Sequence, residues 1–205
     1  MKNIFFVFIF SCLFIGILST SCLAKTKYDK NTIFTKIKKT YSNLDNIQIE
    51  FTDNQKSSIY YILTASKGNK YSLVGKDRQI YCDGKTVWNY NIKEKNVLIS
   101  DFDEDMTNFT IDYFFFKIIP NLTPTSLTTK NKTYILDLKS KTDYDEIKTV
   151  KLVITKDLKK INSIEINSNM GWFTWYIKSI NTNLKLKSNS YYFTIPKNVE
   201  IIDCR

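Results

Sequence analysis

Apolar residues recur with a period of two along most of this chain, and that pattern constrains the fold more than any other. Ile47, Ile49 and Phe51 alternate with Gln48 and Glu50, and Val150, Leu152 and Ile154 alternate in the same way, as do Phe173, Trp175 and Ile177. Side chains alternate across a β-strand, so such runs are strands with one buried face. Further strand-like runs are predicted near 58–65, 70–75, 79–82, 86–91, 96–100, 132–138, 161–167, 183–186 and 191–195. Turn residues separate many of them, including Asp53-Asn54, Gly68-Asn69, Asp77 and Glu94-Lys95. Asp83-Gly84, between two β-rich runs, predicts a two-residue hairpin whose central residues both take positive φ. On the strand after that turn, Thr86, Trp88 and Tyr90 share one face.

The period changes to 3.6 in two places. Ile33, Phe34, Ile37, Tyr41 and Leu44 follow Asp29, a helix-capping residue, and predict a helix over 30–42. Phe102, Met106, Phe109, Tyr113, Phe116 and Ile119 predict a second helix, ended by Pro120, with Phe114 and Phe115 widening its apolar surface. Eleven or twelve short strands with two helical interruptions make an α+β chain. The expected architecture is a strongly curved, incompletely closed antiparallel β-barrel of about 11 strands, with helices forming a lid on its concave face. No linker or repeat divides 25–205, which is read as a single domain.

Residues 1–24 read as a signal peptide, with Lys2 preceding the apolar run Ile4 to Leu18. Cys22-Leu23-Ala24 offers small residues at the cleavage positions, which would leave a soluble chain beginning at Lys25. Ser19-Thr20-Ser21-Cys22 is also a loose lipobox without its usual Leu, which would anchor the chain through a lipidated Cys22. Export permits a disulfide, so Cys82 and Cys204 are either one bridge or two separate thiols. It also argues against nucleic acid as the partner of a chain with net charge +10. That charge fits attraction to an anionic surface, and equally the Lys- and Asn-rich usage of an AT-rich genome.

The chain has no His, no G-x-S-x-G run, no phosphate loop and no C-x-x-C pair. Asp101, Asp103, Glu104 and Asp105 crowd together, but carboxylates suit a helix start through the helix dipole. Neither catalytic residues, a metal nor a cofactor is expected. Aromatic surface is what the chain has in abundance, with 13 Tyr, 14 Phe and 3 Trp. A curved sheet with that lining is filled by its helices or by an apolar ligand.

The run Cys82-Asp83-Gly84-Lys85-Thr86-Val87-Trp88-Asn89-Tyr90-Asn91 resembles the signature of the periplasmic outer-membrane lipoprotein carrier family, LolA. The tail is similar to that family's end: Tyr191, Phe193, Pro196, Val199, Ile201, Asp203 and Arg205 match it, and Asn198 stands where a Gly is usual. Asn also tolerates positive φ. The order of elements is similar throughout 25–205. The resemblance implies a monomeric periplasmic carrier that shields lipoprotein acyl chains, taking them from an inner-membrane transporter to an outer-membrane acceptor. A membrane-tethered lipid-binding sensor of the same fold, or a carrier of another amphiphile such as a glycolipid, is the competing reading. The expected cavity and lid residues are Phe51, Trp88, Tyr90, Phe109, Tyr113, Phe116 and Trp175. The family's lid-holding Arg is absent, and Lys67 is the nearest cation, without the planar fork of Arg.

Overall fold

The computed structural model describes residues 28–41, 43–53, 60–103, 114–141, 147–169 and 171–205. The leader at 1–24 and the lid residues Phe109 and Tyr113 lie outside them.

The chain begins with α1 (Lys30–Tyr41) and continues as β1 (Asn46–Thr52), β2 (Tyr61–Ser66), β3 (Lys70–Val74), β4 (Arg78–Asp83), β5 (Thr86–Asn91) and β6 (Asn96–Asp101). A short helical turn spans Phe114–Asn121. It leads into β7 (Leu122–Lys130), β8 (Thr133–Ser140), β9 (Ile147–Thr155), β10 (Ile161–Ser168) and β11 (Gly171–Thr182), and β12 (Glu200–Asp203) ends the chain. One twelve-stranded sheet results, in the order β12-β6-β5-β4-β3-β2-β1-β11-β10-β9-β8-β7. The sheet is open, with β12 and β7 at its edges. Every pairing is antiparallel except β12 on β6, which is parallel.

Local chemistry explains the elements. The Asp29 carboxylate accepts hydrogen bonds from the Thr32 amide and hydroxyl, both at 2.9 Å, which caps α1. Ile33, Phe34, Ile37 and Tyr41 form its buried stripe, as their spacing predicts. The β4–β5 connection differs from the predicted two-residue turn. Pairing stops at Cys82 opposite Val87, and only Gly84 has positive φ, at 96°. Asp83 stays at the strand end, where its carboxylate accepts from the Lys85 and Thr86 amides at 2.9 Å. Gly is required at 84 on two counts: a Cβ there would meet the Gly68 carbonyl oxygen at 2.6 Å, and the backbone is left-handed.

Three further expectations change. The segments 183–186 and 191–195 are turns and irregular backbone, not strands. β7 has no counterpart among the predicted strands, and it carries Pro124 beside a register shift on an edge strand, where Pro is tolerated. The predicted second helix is helical over Phe114–Asn121, while Phe102 and Asp103 are irregular.

One buried cluster joins α1 and the Phe114–Asn121 turn to residues from β1, β2, β3, β4, β7, β8, β9, β10 and β11. In a flat sheet the seven strand spacings from β4 to β8 would cover about 34 Å. A helix is only about 10–12 Å across. A curved sheet, wrapped around α1 and the turn, brings both halves onto the same filling.

Candidate functional site: an aromatic interior and its cover

Pairing register assigns each side chain to a face, because directly opposite residues point the same way. Phe51 lies opposite Tyr61 on β2 and Ile177 on β11, and Ile164 lies opposite Trp175. All five face the interior. Following the register through β3 and β4 puts Tyr71, Leu73, Ile80 and Cys82 on that face, then Val87 and Asn89 of β5.

A ladder of six rings crosses the interior from α1 to β2. Tyr41 and Phe115 have centroids 4.7 Å apart, Phe115 and Phe114 5.3 Å, Phe114 and Trp175 6.1 Å, Trp175 and Phe51 6.2 Å, and Phe51 and Tyr61 5.6 Å. Three of these contacts are tilted steeply toward edge-to-face, the geometry ring quadrupoles favour. Phe114 and Phe115 are wholly buried, while Phe116 is half-buried against the same cluster. Burial pushes the Tyr41 hydroxyl up to about 12.

Among the described residues, α1 and the 114–121 turn pack over this ladder. The Lys30 ammonium donates to the Thr125 carbonyl at 2.8 Å and ties α1 to β7. Lys141 donates to the Pro120 carbonyl at 3.2 Å, and Asn121 donates to the Lys117 carbonyl within the turn itself. The Lys141 amide also donates to the Asn121 carbonyl at 3.2 Å, and apolar packing joins α1 and the turn to the sheet. An apolar contact is displaced by another apolar group more readily than a hydrogen-bonded one, since no polar partner is left unpaired.

Of the expected lining residues, the structure brings together Phe51, Trp175 and Phe116. It does not bring Trp88 and Tyr90 to them. Both project from the opposite face of β5, with Tyr81 of β4 and Val97 and Ile99 of β6. The C-terminal segment 184–199 crosses that outer face. Phe193 packs on Tyr81 at 5.4 Å and Tyr90 at 5.3 Å, and Tyr192 packs on Trp88 at 6.3 Å. The Tyr191 hydroxyl and the Ser66 hydroxyl share a hydrogen bond of 2.5 Å, and Asn46 exchanges two bonds with the Leu184 backbone. The carbon-rich face of β5 is therefore part of a second aromatic cluster. Phe114, Phe115 and Tyr41 take the place in the interior that the sequence pattern assigns to Trp88 and Tyr90.

Lys67 sits in the β2–β3 connection, where its ammonium lies 3.2 Å from the Asp45 carboxylate. Both side chains are well exposed, so the pair contributes little to stability. Cys82 is buried and Cys204 exposed, and no disulfide joins them. The charged pairs Glu50–Lys178 and Lys151–Glu165, at 2.7 and 2.8 Å, lie on the outer face. Among the described residues, no three His, Cys, Asp or Glu side chains are placed to hold a metal, and no helix is long and apolar enough to cross a membrane.

The fold and site define a class: an open, mostly antiparallel sheet with, among the described residues, a helix and a turn packed on its aromatic interior. No protein-family model matches the sequence, and no curated protein matches it either. Among solved structures, the chain is similar to an uncharacterised conserved protein from Thermus thermophilus, with a TM-score of 0.52 at 12% identity, covering 84% of this chain and 98% of that one. Others scoring lower are the LprF protein from Mycobacterium bovis (TM-score 0.45, 11% identity, 83% of this chain and 97% of that one) and a LolA superfamily protein from Nitrosomonas europaea (0.38, 12%, 79% and 88%). These are likenesses of fold alone.

Proposed function

We propose that this protein is a periplasmic carrier that binds the acyl chains of lipoproteins in its aromatic interior and carries them from the inner to the outer membrane. The observation that carries the reading is the ring ladder Tyr41–Phe115–Phe114–Trp175–Phe51 with, among the described residues, a short helix and a turn packed over it. The signature around Asp83-Gly84 and the tail around Pro196 support the choice of cargo and partners, an inner-membrane transporter that supplies the chain and an outer-membrane acceptor that takes it.

Exchange of cover for ligand is energetically reasonable. Uncovering one buried Phe costs roughly 1.5–3 kcal/mol, and each methylene of an acyl chain that enters contributes about 0.8 kcal/mol. About two to four methylenes offset one ring, and an acyl chain has several times that number. Binding and release then follow from competition between apolar surfaces, and the closed state need only be marginal. On this reading Phe51 and Trp175 are the lining, and Phe114, Phe115 and Phe116 are the cover that an entering chain displaces.

The test is release of lipoprotein from spheroplasts by the purified protein, followed by co-isolation of the complex. Trp175→Ala is expected to reduce recovery at least about tenfold, because the ring spans the centre of the ladder. Trp88→Ala, on the outer face, is expected to leave it unchanged. Lipoprotein that stays on the spheroplasts with the wild-type protein present would overturn the proposal.

A further inference from the structure

Asn89 stands between Trp88 and Tyr90 on β5, so its side chain takes the interior face. Its cross-strand partners are Ile80 on β4 and Leu98 on β6, and Ile202 of β12 lies opposite Leu98. This end of the inner face is less covered than the ring ladder. Ile80 and Val87 are half-buried, while Leu98 is 39% and Ile202 41% exposed. On this face Asn89 lies among Ile80, Val87 and Leu98, with Ser100 beyond Val87, while Arg78, Asn91, Asn96 and Glu200 stand at the polar end of the same strands. Here the Asn89 carboxamide oxygen is buried and, among the described residues, accepts no hydrogen bond. Most buried side-chain polar atoms have a partner, so an unpartnered acceptor flanked by Ile80, Val87 and Leu98 calls for a physical reason. A Leu or Val at this position would fit its neighbours without one.

We infer that Asn89 is a polar subsite of the amphiphile-binding interior, where its carboxamide oxygen accepts a hydrogen bond from an amide N–H that stands next to the acyl chain. The inference rests on the acyl-binding reading and adds a selectivity to it. The partly covered strip of Ile80, Leu98 and Ile202 takes the chain nearest the headgroup, and Asn89 distinguishes an N-acyl amide from an amphiphile of the same length that has no donor. An unmade hydrogen bond in a buried site costs the ligand that cannot make it, which is how such a group discriminates.

The experiment measures displacement of an apolar fluorescent dye by N-methyldodecanamide, which has one N–H, and by N,N-dimethyldodecanamide, which has none. The wild-type protein is expected to prefer the N–H amide by about tenfold beyond the preference of Asn89→Leu, equivalent to about 1.4 kcal/mol. In Asn89→Leu that preference disappears while the dimethyl amide binds as before or more tightly. The variant removes an unpaired acceptor and places Leu between Ile80 and Leu98, so it is expected to fold. An equal preference in both proteins overturns the role of Asn89 and leaves the acyl-binding reading standing. Failure of both amides to displace the dye from either protein overturns the two together.

Discussion

Replacing Phe114 with Ala tests whether the 114–121 turn is a displaceable cover. The ring is fully buried and meets Phe115 and Trp175 nearly edge-on, at 86° and 77°. Truncating a buried Phe costs roughly 3–5 kcal/mol through lost transfer and the cavity left behind. The two ring contacts account for roughly 0.5–1.5 kcal/mol each of that sum. A domain with about 5–15 kcal/mol of stability survives such a loss, so Phe114→Ala is expected to fold with a lowered urea midpoint. Its effect on binding runs the other way. The part of the loss that had held the turn against the sheet no longer opposes an entering ligand, and each 1.4 kcal/mol of it tightens binding about tenfold. Urea unfolding followed by Trp fluorescence gives the stability, and titration with an apolar dye gives the affinity. We expect destabilisation of at least about 3 kcal/mol with dye binding at least about tenfold tighter. Destabilisation below about 1 kcal/mol would refute the packing of Phe114. A folded variant that binds dye no more tightly would refute competition between turn and ligand.

Tyr41, held protonated up to about 12, ionises later than an unfolded tyrosine near 10, so stability falls as pH rises from about 10 toward 12. Tyr41→Phe is expected to remove that portion of the alkaline loss, which thermal melts across the same pH range will show or fail to show. Asp203 is held down to about 2, first by the hydrogen bond from the Arg205 side chain, and its contribution is present above the ordinary carboxylate range and lost as pH falls toward 2. NMR titration should return Asp203 toward about 3.9 in Arg205→Ala; an unmoved midpoint would disprove the pairing. Cys204 is expected to react with a thiol reagent in the native protein, and Cys82 only after denaturation. Peptide mapping that finds the two linked would disprove this arrangement.

Period-two alternation makes the strands legible because burial on one face leaves a direct imprint on the residue order. It tells which residues share a face, but not which face is inside. Both faces of β5 carry apolar groups, Val87 on one and Trp88 and Tyr90 on the other, so ring size points the wrong way. What covers the outer face is 184–199, and its Tyr191-x-Phe193 alternation looks like a strand although it packs as a strap with little regular hydrogen bonding. Phe114 and Phe115 are visible in the sequence as apolar bulk beyond the helical stripe. Their dominance cannot be read there, because a period of 3.6 over 102–119 ranks Phe116 above them, and the turn at 114–118 is wound differently. β7 is hidden by Thr, Ser and Pro, residues an edge strand accepts because one side of it has no neighbour in the sheet.

The order of strands also bears on how the interior comes into being. β1 to β6 is a run of neighbours along the chain, and so is β7 to β11, but the two runs meet only where β1 pairs with β11, Ile47 against Thr182. That seam has the longest loop to close, with β12 on β6 the next longest, and long-range pairing is the slow, entropically costly step in assembling a sheet. Each meander can gather locally while the seam is still open, with Phe51 on one side of it and Trp175 on the other. The apolar chamber is thus a late product of folding, and before the seam zips up both halves present their greasy faces to whatever is nearby. A chain of this design has reason to depend on chaperoning until its eleventh strand has found its first.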